Sequence, residues 1–193
     1  LSQFLTYRIS YFFILASMDK FSLGIYSNGI ALAEGLWIFS KSISSIQFAQ
    51  VLNEKSNIKN IKYSIKLLIP TFILSFIGVS VLNIIPENWY LEILGLDFKG
   101  IKEVIMYLSP GIILLSLNHI LSSYFSASGK NHINTINSII NLLITLIIIQ
   151  PLITKYQING AAITASISYL AGFIIFIFLI GKEYNLSKKA LNN

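Results

Sequence analysis

Six apolar stretches, near residues 3–18, 23–48, 64–86, 103–128, 132–153 and 158–181, fill this 193-residue chain, and short polar connections separate them. A helix needs about 20 predominantly apolar residues to cross a bilayer. Each stretch is therefore expected to be a transmembrane helix. The connections leave no room for a soluble domain, so an all-α integral membrane protein is the expected fold class. Composition agrees: 54% of residues are hydrophobic, 11% are charged and the mean hydropathy is +0.71. Soluble domains carry roughly 25% charged residues.

Polar residues inside these stretches are not scattered. In the second stretch Ser27, Glu34, Lys41 and Ser45 recur at intervals of seven, seven and four, which places them on one helix face. Ala31 and Gly35 offer a neighbouring face for close approach of another helix. In the fifth stretch Asn134, Asn137, Ser138, Asn141 and Thr145 form a stripe on an otherwise Ile- and Leu-rich helix. An asparagine stripe facing lipid would leave amides unpaired at a cost of several kcal/mol, so it should face a wet cavity or a neighbouring helix. In the fourth, Pro110-Gly111 predicts a kink, because proline removes a helix donor, and His119, Ser122 and Ser126 share a face. Pro70 lies near the start of the third. The sixth carries Ala161, Ala165, Ser168 and Gly172, which read as a packing seam without a transport role.

Four ionisable groups lie well inside the ends of the stretches, where charge is rare and marks pathways. Arg8 is either a fixed cation of a cavity or a side chain snorkelling to the interface. Lys41 offers the same two readings. Glu34 is either an ion-coupling carboxylate or the partner of Arg8 or Lys41 in a structural ion pair. His119 is either a third cationic candidate or a hydrogen-bonded packing residue.

Charge sets an expected orientation. Lys55, Lys59, Lys62, Lys66, Lys130, Lys182, Lys188 and Lys189 fall on one side, against Lys20, Lys99, Lys102 and Lys155 on the other. The positive-inside tendency makes the first side cytoplasmic, with both ends of the chain. This also accounts for the net charge of +6 and a pI of about 9.4 without invoking nucleic acid. Trp89 and Tyr90 then sit near the outer interface, in the connection Glu87 to Gly100, which reads either as a helix lying flat or as a plain loop. The first residue is Leu1, and the first stretch lacks a cleavage site; the chain is expected to be the later part of a longer membrane protein. There is no cysteine. His119 and His132 lack metal-ligand spacing, and no HExxH, phosphate-binding GxxxxGK[ST] or GxSxG pattern occurs. No catalytic residue, metal or cofactor is expected.

Several short motifs occur in order. Gly24-Ile25-Tyr26-Ser27 is followed by Ala33-Glu34-Gly35-Leu36-Trp37, then Ser109-Pro110-Gly111-Ile112, Ser122-Ser123-Tyr124-Phe125, Gly129-Lys130 and Ile158-Asn159-Gly160-Ala161-Ala162. Together they resemble the oligosaccharide-lipid flippases of the polysaccharide biosynthesis family, the Wzx-like members of the MATE-like superfamily. Tyr7-Arg8-Ile9 is similar to the start of that family's second lobe, although Ser10 stands where an Asp often follows. The resemblance implies two lobes of about six helices around a central cavity, with residues 1–193 as the C-terminal six-helix lobe. It implies no enzymatic activity. It implies a cargo, a polyprenyl-diphosphate-linked sugar repeat carried across the bacterial cytoplasmic membrane by alternating access for O-antigen (lipopolysaccharide) or capsule assembly. Arg8, Lys41 and His119 would then meet the diphosphate, the Asn134, Asn137 and Asn141 stripe would meet the glycan, and Glu34 would couple an ion. The missing N-terminal lobe, membrane lipid and polysaccharide polymerase machinery are the implied partners. Two other readings stand beside it: a multidrug or cation antiporter of the same superfamily using Glu34, and a membrane-embedded glycan polymerase or acyltransferase. A non-transporting scaffold is a further reading.

Overall fold

Along the third apolar stretch the small and polar residues Asn60, Ser64, Thr71 and Ser75 are buried, while Ile65, Ile69, Phe72, Ile73, Phe76 and Ile77 are exposed. Water would favour the reverse. The arrangement suits lipid, where helices associate through small residues and interhelical hydrogen bonds rather than through apolar burial.

The structure, a computed structural model, describes the backbone of residues 2–192 and the side chains of residues 8–189. The described chain is helical without strands: α1 (Ser2–Ser17), α2 (Lys20–Glu34), α3 (Trp37–Asn53), α4 (Asn57–Ile84), α5 (Glu87–Leu94), α6 (Ile101–Ala127), α7 (Asn131–Tyr156) and α8 (Ile158–Asn192), with one 3-10 turn at Leu96–Phe98. Among the described residues α4, α6, α7 and α8 are long and apolar enough to cross a membrane. The expected six spans are therefore not all met by this measure. The first forms a helix of 16 residues. The second divides into α2 and α3.

That division lies at Gly35-Leu36. Gly35 keeps the regular bond to the Ala31 carbonyl at 3.2 Å, but Leu36 N–H turns to Ala33, three residues back, at 3.1 Å. The ladder tightens into a 3-10 step and restarts. Leu36 fills the space left by Gly78 of α4, where a Cβ would stand 2.7 Å from its Cδ2. The expected small-residue seat at Ala31 and Gly35 is not used in this way, since both residues are exposed.

Local chemistry sets the other boundaries. Asp19 caps α2, its carboxylate accepting Ser22 N–H at 2.7 Å. The Asn60 amide donates to the carbonyls of Val51 and Glu54, capping the end of α3 from inside α4. Gly129, at φ 74°, stops α6 in the left-handed conformation that closes many helices. One residue, Gln157 at φ 53°, separates α7 from α8. Glu87 to Gly100, open between a flat helix and a loop, folds as α5 and the 3-10 turn. Tyr90 is buried and donates to the Leu82 carbonyl at 2.7 Å, while Trp89, Ile93 and Leu96 face outward.

Helix α6 is the axis, packed against α2, α3, α4, α7 and α8. Beyond Pro110 its ladder admits a foreign group. The Ser166 hydroxyl of α8 accepts Gly111 N–H at 3.2 Å and donates to the Tyr107 carbonyl at 2.8 Å, standing between two groups that would otherwise bond to each other. Two apolar clusters line this axis. One includes Tyr26, Ile105, Leu108 and Leu115; the other includes Ile61, Leu121, Phe125 and Phe176. Asn118 and His119 lie on α6 between Leu115 and Leu121, at the junction of the two clusters.

Candidate functional site: a polar groove along the central helix

The polar stripes of three helices converge at that junction. From α3 come Lys41, Ser44 and Ser45. From α6 come His119, Ser122, Ser123 and Ser126. With Phe48 they line an open cavity of about 390 Å³. His119 and Ser122 also line a second, tighter cavity of about 40 Å³, completed by Asn118, Asn134, Asn137, Ser138 and Asn141 together with Leu115, Tyr169 and Phe176. The two share His119 and Ser122 and so lie side by side along one polar groove, a wide mouth and a narrow recess.

The mouth is built around Trp37. Lys41 Nζ lies 5.3 Å from its ring centroid, a cation–π contact that holds the ammonium on the groove side of α3. The His119 ring meets the same indole edge to face at 5.8 Å. Ser40 Oγ is 3.0 Å from the Trp37 carbonyl and 3.0 Å from His119 Nδ1. A hydroxyl has one proton, and the carbonyl can only accept. The imidazole Nδ1 therefore carries its own proton toward Ser40. Ser123 Oγ donates to the Ser44 carbonyl at 2.7 Å and fastens α3 to α6.

The recess is built on amides. Asn118 Nδ2 donates to the Tyr169 carbonyl at 3.0 Å. Asn134 Nδ2 donates to the Ser122 carbonyl at 3.0 Å and to Ser126 Oγ at 2.8 Å. Asn141 lies over Gly172 of α8. Thr145 donates to the Asn141 carbonyl and pairs with Ser168 at 2.8 Å. The expected seam on α8 thus does more than pack, because two of its members, Ser168 and Gly172, support the asparagine stripe.

Of the residues singled out in the sequence, Lys41, His119, Asn134, Asn137 and Asn141 all line this groove. Arg8 and Glu34 line neither cavity. Arg8 donates to Tyr11 Oη at 2.8 Å, and its guanidinium lies 5.1 Å from that ring. Glu34 ends α2 at the break before α3. Among the described residues neither Arg8 nor Lys41 pairs with it within 4.0 Å, although both charges act on its carboxylate. The structural ion pair considered for Glu34 is therefore not formed here. Ser27 donates to the Gly24 carbonyl and lies on α2, apart from Lys41 and Ser45 on α3.

Three contributors escaped the sequence reading. Asn118 precedes His119 and has no second asparagine at helical spacing. Ser40 is one of several serines in its stretch. Tyr169 acts through its backbone carbonyl, which no side-chain pattern reports. The ion pair of Lys130 with Glu183, at 2.6 Å, ties the α6–α7 turn to the far end of α8. No group of His, Asp and Glu suited to a metal ion occurs among the described residues.

The chain is similar to the capsular polysaccharide biosynthesis protein CapF of Staphylococcus aureus, with 27% identity over 162 residues. The match covers 82% of this chain and 41% of that protein, so the chain spans about two fifths of the relative's length. No family model and no solved structure matches.

Proposed function

We propose that this chain forms one lobe of a transporter that moves a polyprenyl-diphosphate-linked oligosaccharide repeat across the bacterial cytoplasmic membrane. The observation that carries this reading is the groove. A bundle with helices apolar enough to cross a membrane keeps a cation, an imidazole and an asparagine stripe together on one side of its central helix. The likeness to a capsular polysaccharide biosynthesis protein supports a part in polysaccharide synthesis. A diphosphate suits the wide mouth, where Lys41 supplies charge and Ser122 and Ser126 supply hydroxyl donors. The polar substituents of a glycan suit the asparagine-lined side of the groove, and a lipid tail can remain in the bilayer while its head crosses.

In this reading a second lobe, the N-terminal part of the same protein in a two-lobed MATE-like flippase, closes the groove from the open side, and rocking of the lobes gives alternating access. Arg8 extends the cationic track beyond Lys41, and Glu34, held between them, couples movement to an ion. Both ends of the chain are cytoplasmic. The protein transports without catalysing a covalent step, and it hands its cargo to polymerase machinery.

The test is deletion of the gene in its host, followed by locating the lipid-linked glycan. Complete repeats held on the cytoplasmic face, with surface glycan lost, are expected. Unpolymerised repeats on the outer face would assign a polymerase instead. Unchanged glycan would leave the drug-antiporter or scaffold readings.

A further inference from the structure

The far end of α8 carries two stripes on opposite sides. Phe176, Ile180, Glu183 and Ser187, at spacings of four, three and four, face inward. Phe176 and Ile180 are buried in the same apolar cluster as Leu121 and Phe125. Glu183 accepts from Tyr124 Oη at 2.7 Å and pairs with Lys130 at 2.6 Å, and Ser187 accepts from the Asn57 amide at 3.0 Å. Phe178, Lys182, Asn185 and Lys189 repeat the same spacing two residues further on, which on a helix is nearly the opposite side. All four are exposed, Phe178 at 71%. The inward bonds hold these turns against the start of α4 and the end of α6, so the outward face belongs to a fixed helix.

We propose that this outward face is a seat for one anionic phospholipid. Its chemistry changes at a single level. No charged residue occurs from Ile158 to Gly181, a run long enough to cross a hydrocarbon core of about 30 Å. Lys182 is the first charge past that run, so Phe178 lies at acyl-chain depth while Lys182, Asn185 and Lys189 lie at headgroup depth. The two lysines are separated by about 10.5 Å along the axis, and neither is bonded to another described residue. Glu183 is the only acidic residue among the described residues of α8, and it is turned inward and matched by Lys130. The outward face is therefore purely cationic. Gly181 leaves room beside Lys182, since a Cβ there would meet nothing within 4 Å. An acidic protein segment or a free phosphate would satisfy the lysines and leave Phe178 uncovered. A phospholipid serves both, with its phosphate between the ammonium groups and an acyl chain along the phenylalanine side. The seat does not depend on what the groove carries.

The experiment uses the purified full-length protein in neutral detergent and two probes, dioleoyl phosphatidylglycerol and dioleoyl phosphatidylcholine. Native mass spectrometry reads the affinity of the first lipid bound, and melting temperature is measured alongside. The anionic lipid should bind roughly tenfold tighter or more, as two lysines at headgroup level allow. Lys182→Gln combined with Lys189→Gln should bring the two lipids within about twofold. The lipid-free melting temperature of that variant should be unchanged, because both lysines are exposed and unbonded. Lys62→Gln combined with Lys66→Gln removes the same charge from exposed positions of α4 and should keep the preference. Glycerol phosphate, the headgroup without chains, should not displace the lipid even in large excess. Equal binding of both lipids by the unaltered protein, a preference kept in the α8 variant, or a preference lost equally in both variants would overturn the seat. Displacement by glycerol phosphate would overturn a lipid as its occupant. Each of these results leaves the transport reading in place.

Discussion

Asn141 of α7 occupies the space that a side chain at Gly172 of α8 would need: a Cβ built on Gly172 would stand 2.5 Å from the Asn141 amide nitrogen and 3.1 Å from its oxygen. Gly172→Ala should therefore push the amide out of the recess while leaving every recess-lining side chain chemically intact. Overpacking of this kind costs roughly 1–3 kcal/mol. The expected outcome is a lower melting temperature in detergent and a clear loss of surface glycan. Asn141→Ala should restore stability in the Gly172→Ala background without restoring glycan.

Lys41 carries its charge to the mouth of the groove along the Trp37 ring. Lys41→Ala should lower surface glycan several-fold at unchanged protein level, and Lys41→Arg should retain most of it, because the guanidinium keeps both the charge and the ring contact. Arg8→Ala should also lower glycan, though less, since Arg8 lies outside both cavities. Immunoblots of membranes alongside surface-glycan staining separate transport from expression.

Glu34 stands at the α2–α3 break, subject to Arg8 and Lys41 but paired with neither. Glu34→Gln should leave the fold unchanged and abolish the dependence of transport on an ion gradient in membrane vesicles. Unaltered gradient dependence would remove Glu34 from the coupling role.

The Ser166 hydroxyl bridges the Gly111 N–H and the Tyr107 carbonyl on either side of Pro110 in α6. Ser166→Ala should cost about 1–3 kcal/mol, the usual penalty for leaving partly buried polar groups unmatched. Amide hydrogen exchange should rise in α6 around Gly111 and not at its far end.

Outside the spans, Asp19 gives a pH prediction. Backbone N–H donation from Ser22 holds its carboxyl below the ordinary value of 3.8. A carboxyl depressed in the folded state stabilises fully above its unfolded pKa, and that contribution is lost as pH falls through the lower folded value. The start of α2 should therefore fray on acidification below about pH 4. Exchange at Ser22 in Asp19→Asn, which still caps but does not titrate, should be insensitive to pH in that window.

The asparagine stripe was legible because Asn134, Asn137 and Asn141 share a face in an otherwise aliphatic helix. That contrast says a face is buried, and the structure supplies what covers it. The break after Glu34 was not legible. Gly35 and Leu36 both keep right-handed helical dihedrals, so the interruption comes from Leu36 seating against Gly78, a contact between residues forty-two positions apart. Ion pairing of Glu34 was equally unreadable, because it depends on distances across that break. Four of the expected spans are single helices long and apolar enough to cross a membrane, whereas the second divides for the same reason: a run of suitable composition is not one helix when packing interrupts it.

The single-residue turn at Gln157 has a consequence for how the protein is made. Gly160 lies so close against the Leu152 backbone that a side chain there would collide with it. With Tyr156 ending one helix and Ile158 starting the next, almost no slack chain remains to be threaded ahead of the second helix. In a membrane the two helices are therefore expected to insert together, as a hairpin. Until α8 emerges from the ribosome, Asn141 has no glycine to lie against and Asn118 has no Tyr169 carbonyl to meet. On that expectation the polar stripe of α7 stays uncovered during synthesis until α8 has followed it.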